Sequence, residues 1–362
     1  LLPLPSDAAG QRLREAAYLK EPVDGDMALL LPTSGSTGDP KLVELPSSAL
    51  RSSASATHAR LHGQGAWLLA LPLTHVAGWQ VLVRSVVAGT TPAVLDTALP
   101  FTPQAFAAAS ATLGSDRPRY TALVPTQLRR LLDDPAGLAA LATFDAVIVG
   151  GAATPPSLLA RALEERVNVL TTYGMTETSG GCVYDGEPLD GVRMRIAGDA
   201  RVLLGGSTLA MGYRGDDAQT EAFVRDAEGS RWFRTGDAGA ISDDGTLRLL
   251  GRIDDVIVTG GEKVSPTAVE RLLLELPGVH AALVFGVPDD EWGHAVVALV
   301  EADDRPRLAE VREVVAERLG RHAAPKRVLD VPHIPVTGLG KPDRGAAWRL
   351  VRDAGLDMIA DT

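Results

Sequence analysis

Nine consecutive residues, Thr33-Ser34-Gly35-Ser36-Thr37-Gly38-Asp39-Pro40-Lys41, bring together two glycines, four hydroxyls and a lysine. Gly35 and Gly38 permit positive φ and close backbone approach, so successive N–H groups can turn inward around a polyanion. The hydroxyls of Thr33, Ser34, Ser36 and Thr37 add donors, and Lys41 adds charge. Such a set suits the holding of phosphates. It is not a Walker A loop, because Leu42 follows Lys41 and no Ser or Thr stands there to hold Mg²⁺. By composition alone, a Gly/Ser-rich stretch is about as often a solvated turn. Other groups could do chemistry but are bland in isolation. Glu177 reads as a loop carboxylate, Asp237 as part of a Gly-Asp turn, and Lys341 as a solvated lysine between Gly340 and Pro342. His75 stands beside apolar residues, where packing is commoner than chemistry.

The elements that must position these groups read as follows. An apolar run at 27–31 precedes the phosphate-binding string and predicts a buried strand. Runs at 67–71, 120–124 and 146–149 predict further strands, and 103–113 and 126–132 carry Ala and Leu at helical spacing. This alternation predicts an α/β fold with largely parallel sheets. From 186 to 250 the texture changes to short strands between Gly and Asp turns, as in a small barrel or curled sheet, with Trp232 and Phe233 anchoring its core. After Gly251 a compact α+β unit is expected, with helices at 269–276 and 308–319 and strands at 281–287 and 295–300.

Further strings follow in order along the chain. They are Leu71-Pro72-Leu73-Thr74-His75-Val76-Ala77-Gly78-Trp79, Val149-Gly150-Gly151-Ala152, Thr172-Tyr173-Gly174-Met175-Thr176-Glu177-Thr178, Arg234-Thr235-Gly236-Asp237, Gly251-Arg252-Ile253-Asp254-Asp255 and Pro335-Val336-Thr337-Gly338-Leu339-Gly340-Lys341. Together with the phosphate string they resemble the adenylate-forming superfamily of acyl-CoA synthetases, adenylation domains and luciferases. The resemblance covers nearly the whole chain. It implies a large N-terminal adenylation domain over residues 1–251, containing a small β subdomain, and a small mobile lid over 252–362 that turns about Asp254. The region before the phosphate string is shorter than in typical members, so one subdomain is expected to be reduced.

The resemblance also implies roles. Thr33, Ser34, Gly35, Ser36, Thr37, Gly38 and Lys41 would hold the β- and γ-phosphates of ATP, and Glu177 would bind Mg²⁺, a hard cation that wants oxygen ligands. Thr176 would donate to the α-phosphate. Gly150, Gly151, Ala152, Tyr173 and Gly174 would line the adenine, and Asp237 and Arg252 the ribose, whose vicinal diol suits a carboxylate. Lys341 would bridge the carboxylate and the α-phosphate, and His75 would gate the acyl pocket. Gly260 and Gly261 would let the pantetheine of coenzyme A pass close to the backbone. The string from Gly174 to Gly186 and the short N-terminal part are most similar to the 2-succinylbenzoate–CoA ligases of actinobacterial menaquinone synthesis. An adenylation enzyme loading a carrier-protein thiol is the alternative, and a nucleotide-binding regulator without turnover is a third reading. Retention of Glu177 and Lys341 weighs against the last.

Bulk properties narrow the partners. The 362 residues suffice for two domains, and 45% hydrophobic residues allow a substantial core. No run approaches the roughly 18 apolar residues of a membrane span, and the opening Leu-Leu-Pro-Leu-Pro has no basic stretch of a secretory signal. A net charge of −11 argues against nucleic acid. The partners that the resemblance implies are a small carboxylate, ATP and coenzyme A, with homodimerisation left open. Cys182 is the single cysteine, so no intrachain disulfide forms, and a reducing cytoplasm fits. It reads as a buried filler, since nothing nearby supports a thiolate.

Overall fold

The computed structural model describes residues 1–3, 14, 17, 22–33, 41–216, 220–304, 306–336 and 342–355. The apolar run at 27–31 forms strand β1 (Met27–Thr33), antiparallel to β2 (Lys41–Pro46), with Thr33 opposite Lys41. This pairing brings the two ends of the phosphate string side by side. Helix α1 (Ser47–Arg60) follows directly.

A seven-stranded sheet contains β3 (Ala66–Leu69), β4 (Ala93–Val94), β5 (Arg119–Leu123), β6 (Ala146–Gly150), β7 (Val169–Met175), β8 (Gly180–Tyr184) and β9 (Glu187–Pro188). Its order is β4-β3-β5-β6-β7-β8-β9; the first five strands run parallel, β8 is antiparallel to β7, and β9 is antiparallel to β8. Strands β3, β5 and β6 are apolar on both faces, as a sheet covered on both sides requires. Trp67, Tyr120 and Ile148 face one core, while Leu68, Val147 and Val149 face the other. Helices α2 (Val76–Ala88), α3 (Pro103–Ser110), α4 (Pro125–Leu132), α5 (Pro135–Leu141) and α6 (Pro156–Glu164) make the connections. The last four begin at proline, whose missing N–H costs nothing in the first turn. Thr102 and Asp134 cap two of them through their side chains.

The expected curled sheet comprises β10 (Val192–Ile196), β11 (Arg201–Gly206), β13 (Phe223–Arg225), β14 (Arg231–Ile241) and β15 (Leu247–Arg252), all antiparallel. The two-residue β12 (Gly212–Tyr213) leaves this region to pair with β2. Trp232 and Phe233 are both buried on opposite faces of β14. The Trp232 indole donates to Asp226, and Phe233 lies 4.8 Å from Phe223, centroid to centroid.

The C-terminal unit begins with the hairpin β16 (Ile257–Thr259) and β17 (Glu262–Val264) and helix α7 (Pro266–Leu273). Strands β18 (Val279–Asp289) and β19 (Gly293–Ala302), helix α8 (Leu308–Leu319), strand β20 (Arg327–Asp330) and helix α9 (Arg344–Asp353) complete it. Val269, Val311 and Val315 pack on one face of its three-stranded sheet, and Ala347 and Val351 on the other, so this unit has cores of its own. Among the described residues, no helix is long and apolar enough to cross a membrane.

Candidate active site

The ends of β6 and β7 and the start of β8 converge where open α/β sheets place their ligands, beyond the carboxyl ends of the parallel strands. Gly150 ends β6 in register with Thr172, and a Cβ on it would lie 2.5 Å from Thr172 Cγ2. Gly151 follows at φ +82°, a value that favours glycine, and leads to half-buried Ala152. A Cβ on Gly174 would approach the Gly180 carbonyl oxygen to 2.2 Å, so β7 and β8 meet there backbone to backbone. The chain then makes one tight turn, Thr176–Thr178, in which Thr178 Oγ1 accepts the Met175 N–H at 3.0 Å. This turn presents Thr176 and Glu177.

Glu177 is only 8% exposed. Its Oε1 accepts the Tyr213 hydroxyl at 2.6 Å, and its carbonyl accepts the Ala210 N–H at 2.9 Å. Among the described residues no side-chain cation pairs with it. A buried carboxylate with only a neutral donor is costly until a cation arrives. Mg²⁺ would fit such a carboxylate, which could give it one oxygen ligand and charge neutralisation. Among the described residues no group of three or more His, Cys, Asp or Glu could hold a metal by itself.

Tyr173, Asp237 and Arg252, from three separate strings, also come together. The Tyr173 hydroxyl donates to Asp237 Oδ2 at 2.7 Å, and Arg252 Nη1 donates to Oδ1 at 3.4 Å. Asp237 and Arg252 are direct partners across β14 and β15. Burial, and then the Asp237 charge, push the Tyr173 pKa well above its ordinary value, so the hydroxyl stays a donor. Each Asp237 oxygen keeps a further lone pair for a diol.

His75 is the half-buried N-cap residue of α2, and its carbonyl accepts the Gly78 and Trp79 N–H groups. A Cβ on Gly78 would lie 2.4 Å from the Pro72 carbonyl oxygen, so this glycine lets the helix start rest against the chain leaving β3. One face of α2, with Val76, Gln80 and Arg84 at four-residue spacing, lies on β8. Gln80 Nε2 donates to the Ser179 carbonyl at 2.7 Å, and Arg84 Nη2 donates to the Tyr184 hydroxyl at 3.1 Å. Arg84 is 3% exposed, its guanidinium lies 5.0 Å from the Trp67 ring centroid, and no carboxylate among the described residues pairs with it. Its Nε, together with Gln80 Oε1, Thr172 Oγ1 and Ser179 Oγ, is buried without a hydrogen-bond partner. The sequence reading missed this group, although Arg84 visibly interrupts the apolar stretch Val81-Leu82-Val83 and Val86-Val87. Cys182 is buried in the core that also holds Trp67 and Tyr184, and burial pushes its pKa up to about 12, so it is the inert filler expected.

Asp254 lies between two anchored neighbours. The Ile253 N–H donates to the Gly236 carbonyl on β14, whereas Asp255 lies 3.9 Å from Arg344, which also donates to the Val284 carbonyl on β18. Gly260 and Gly261, at φ +57° and +83°, make the two-residue turn between β16 and β17. Such a turn wants positive φ at both positions, so the hairpin alone accounts for these glycines. Ser34, Gly35, Ser36, Thr37, Gly38 and Lys341 lie outside the described residues; Thr33 and Lys41 flank the first group, and Val336 bridges Pro342 across the second.

Comparison with known proteins decides the family. The family described as AMP-binding enzyme matches residues 3–246, and that described as AMP-binding enzyme C-terminal domain matches 268–341. The chain belongs to the AMP-binding enzyme family. It is 46% identical over 344 residues to a Mycobacterium tuberculosis (strain H37Rv) protein named "Probable 2-succinylbenzoate--CoA ligase", covering 94% of this chain and 88% of that one. It is 30% identical to the 2-succinylbenzoate--CoA ligase of Enterococcus faecalis, covering 87% and 68%. Among solved structures it is similar to the Bacillus subtilis o-succinylbenzoate CoA synthetase in complex with the acyl-adenylate intermediate OSB-AMP, with TM-score 0.74, 26% identity and coverage of 90% and 72%. It is also similar to the amide bond synthetase McbA of Marinactinospora thermotolerans, with TM-score 0.78, 29% identity and coverage of 91% and 71%.

Proposed function

We propose that this chain is an ATP-dependent ligase that joins 2-succinylbenzoate to coenzyme A through an acyl adenylate. The observation that carries the reading is the 46% identity, over 94% of the chain, to the mycobacterial protein of that name. A substrate carboxylate oxygen attacks the α-phosphorus of ATP, the bond to the bridging oxygen breaks, and pyrophosphate leaves. The coenzyme A thiolate then attacks the acyl carbon, and AMP leaves. Two anions must meet in the first step, so catalysis rests on charge neutralisation and positioning. In this reading Thr33 to Lys41 hold the outer phosphates, Thr176 donates to the α-phosphate, and Lys341 bridges the reacting oxygens. Glu177 would hold Mg²⁺, which when bound would supply neutralisation of phosphate charge. Tyr173 and the Gly150–Ala152 turn border the adenine, Asp237 and Arg252 take the ribose, and His75 borders the acyl path. Gly260 and Gly261 border the thiol path. The enzyme works in the cytoplasm, where thiols stay reduced.

2-Succinylbenzoate carries a second carboxylate, on its ring, which needs a cation once buried. Arg84 is the group assigned to it, because a buried arginine without an anionic partner is complete only when an anion arrives. Gln80, Thr172 and Ser179 supply further polar atoms alongside.

The hinge role of Asp254 leads to an expected result. Asp254→Pro fixes φ and disfavours the helical region for Ile253. It is expected to impair one half-reaction selectively, read by ATP–pyrophosphate exchange on one side and thioester formation from pre-made acyl adenylate on the other. Wild-type rates in both would place the hinge elsewhere.

The whole reading is tested by incubating the protein with 2-succinylbenzoate, ATP and Mg²⁺ plus one acceptor: coenzyme A, a phosphopantetheinylated carrier protein, or a simple amine. Pyrophosphate release and a thioester on free coenzyme A support it. A product on the carrier or the amine alone assigns a different acceptor, and no pyrophosphate with any acid leaves a nucleotide-binding regulator.

A further inference from the structure

Tyr213 lies in none of the strings that suggested chemistry, yet among the described residues its hydroxyl makes the one side-chain hydrogen bond to the Glu177 carboxylate, at 2.6 Å and buried. The segment around it is pinned on two sides. Toward Glu177, the Ala210 N–H donates to the Glu177 carbonyl at 2.9 Å. Toward β2, Tyr213 is paired with Val43, the Met211 N–H donates to the Glu44 carbonyl, and the Arg214 N–H donates to the Leu42 carbonyl at 2.8 Å. The Tyr213 N–H itself donates to Thr220 Oγ1 at 3.0 Å, and its ring lies 6.0 Å from that of Phe223. Residues 210–214 therefore tie Glu177 to the strand that begins at Lys41.

We propose that Tyr213 is a positioning residue for the divalent cation: it holds the Glu177 carboxylate by Oε1 and leaves Oε2 available to a metal, in fixed register with Lys41. The inference rests on the reading of Glu177 as the Mg²⁺ ligand and goes beyond it. A lysine or arginine in this place would neutralise the carboxylate and compete with the metal. A phenol fixes the carboxylate's rotamer and leaves its negative charge for the cation. Partners that orient a metal-binding side chain in this way typically contribute 10- to 100-fold to metal affinity.

The test is Tyr213→Phe in the full chain, which keeps the ring and its packing on Phe223. Two quantities are read: the affinity for Mn²⁺, standing in for Mg²⁺, in the presence of a non-hydrolysable ATP analogue, and the Mg²⁺ concentration that half-activates pyrophosphate release. Both are expected to weaken by about tenfold. The KM for the carboxylate and the rate of thioester formation from pre-made acyl adenylate should stay as in wild type. Glu177→Gln is the reference variant and should weaken both metal constants at least as much. Unchanged metal constants in Tyr213→Phe, with or without a uniform loss of turnover, overturn the proposal when Glu177→Gln does shift them. Unchanged constants in both variants overturn instead the assignment of Glu177 to the metal.

Discussion

Replacing Lys341 by alanine is expected to slow acyl-adenylate formation by about 10²–10³-fold, the usual loss when one oriented charge on a developing oxyanion is removed. In the proposed reading the lysine would contact the reacting oxygens only while the carboxylate attacks ATP, and once the small domain had turned its ammonium would play no part at the acyl carbon. Thioester formation from pre-made acyl adenylate and coenzyme A should therefore proceed at close to the wild-type rate. The proposed hinge at Asp254 would allow this separation: Ile253 is bonded to β14, while Asp255 faces Arg344, three residues beyond Lys341 in sequence. An equal fall in both half-reactions would show that Lys341 acts on the fold or on nucleotide binding in general.

Arg84→Met is expected to lower kcat/KM for 2-succinylbenzoate by about 10²-fold, within the range for removing one partner of a buried charge pair. Methionine keeps an unbranched chain against Trp67 and removes the cation. The same variant should lose little toward 4-phenyl-4-oxobutanoate, which lacks the ring carboxylate, so the preference between the two acids should nearly vanish. Stability should move in a direction opposite to that of a structural arginine. In the free protein Arg84 is a buried cation with no carboxylate partner among the described residues, so replacing it should leave the melting temperature equal or higher. Equal losses toward both acids, with a lower melting temperature, would make Arg84 a packing residue.

Much of the framework was legible because its signals are local. Strand β6 is an unbroken apolar run, β5 is apolar but for Arg119 and Thr121, and α8 spans the expected residues 308–319. Helix α7 was placed three residues late: Ser265 caps it by accepting the Ala268 N–H, and Pro266 begins it. That Ser-Pro start is a signal the apolar spacing alone did not use. Tyr173, Asp237 and Arg252 were each legible within a contiguous string, and the fold brings them within hydrogen-bond distance. Arg84 had a local signal, a charge inside an apolar stretch, that names no partner, and Tyr213 was missed for the opposite reason. Tyr213 meets Glu177 across 36 residues through a two-residue strand inserted into another sheet, and no spacing along the chain encodes that. Gly260 and Gly261 show a further limit, since a hairpin turn and a close ligand path ask for the same residue.

The central claim is that the acid activated is 2-succinylbenzoate and that the acceptor is coenzyme A. Its most direct measurement is kcat/KM of the wild-type protein for thioester formation with coenzyme A over four acids: 2-succinylbenzoate, 4-phenyl-4-oxobutanoate, benzoate and a medium-chain fatty acid. A site built around the ring carboxylate leaves its buried polar groups unpaired when that carboxylate is missing. 2-Succinylbenzoate should therefore be preferred over its decarboxylated analogue by about 10²-fold or more, toward the 10⁴–10⁵ reached where a site is built to bond one polar group. A higher kcat/KM for benzoate or the fatty acid would contradict the substrate and leave the ligase chemistry standing, whereas no coenzyme A thioester from any of the four would contradict the account itself.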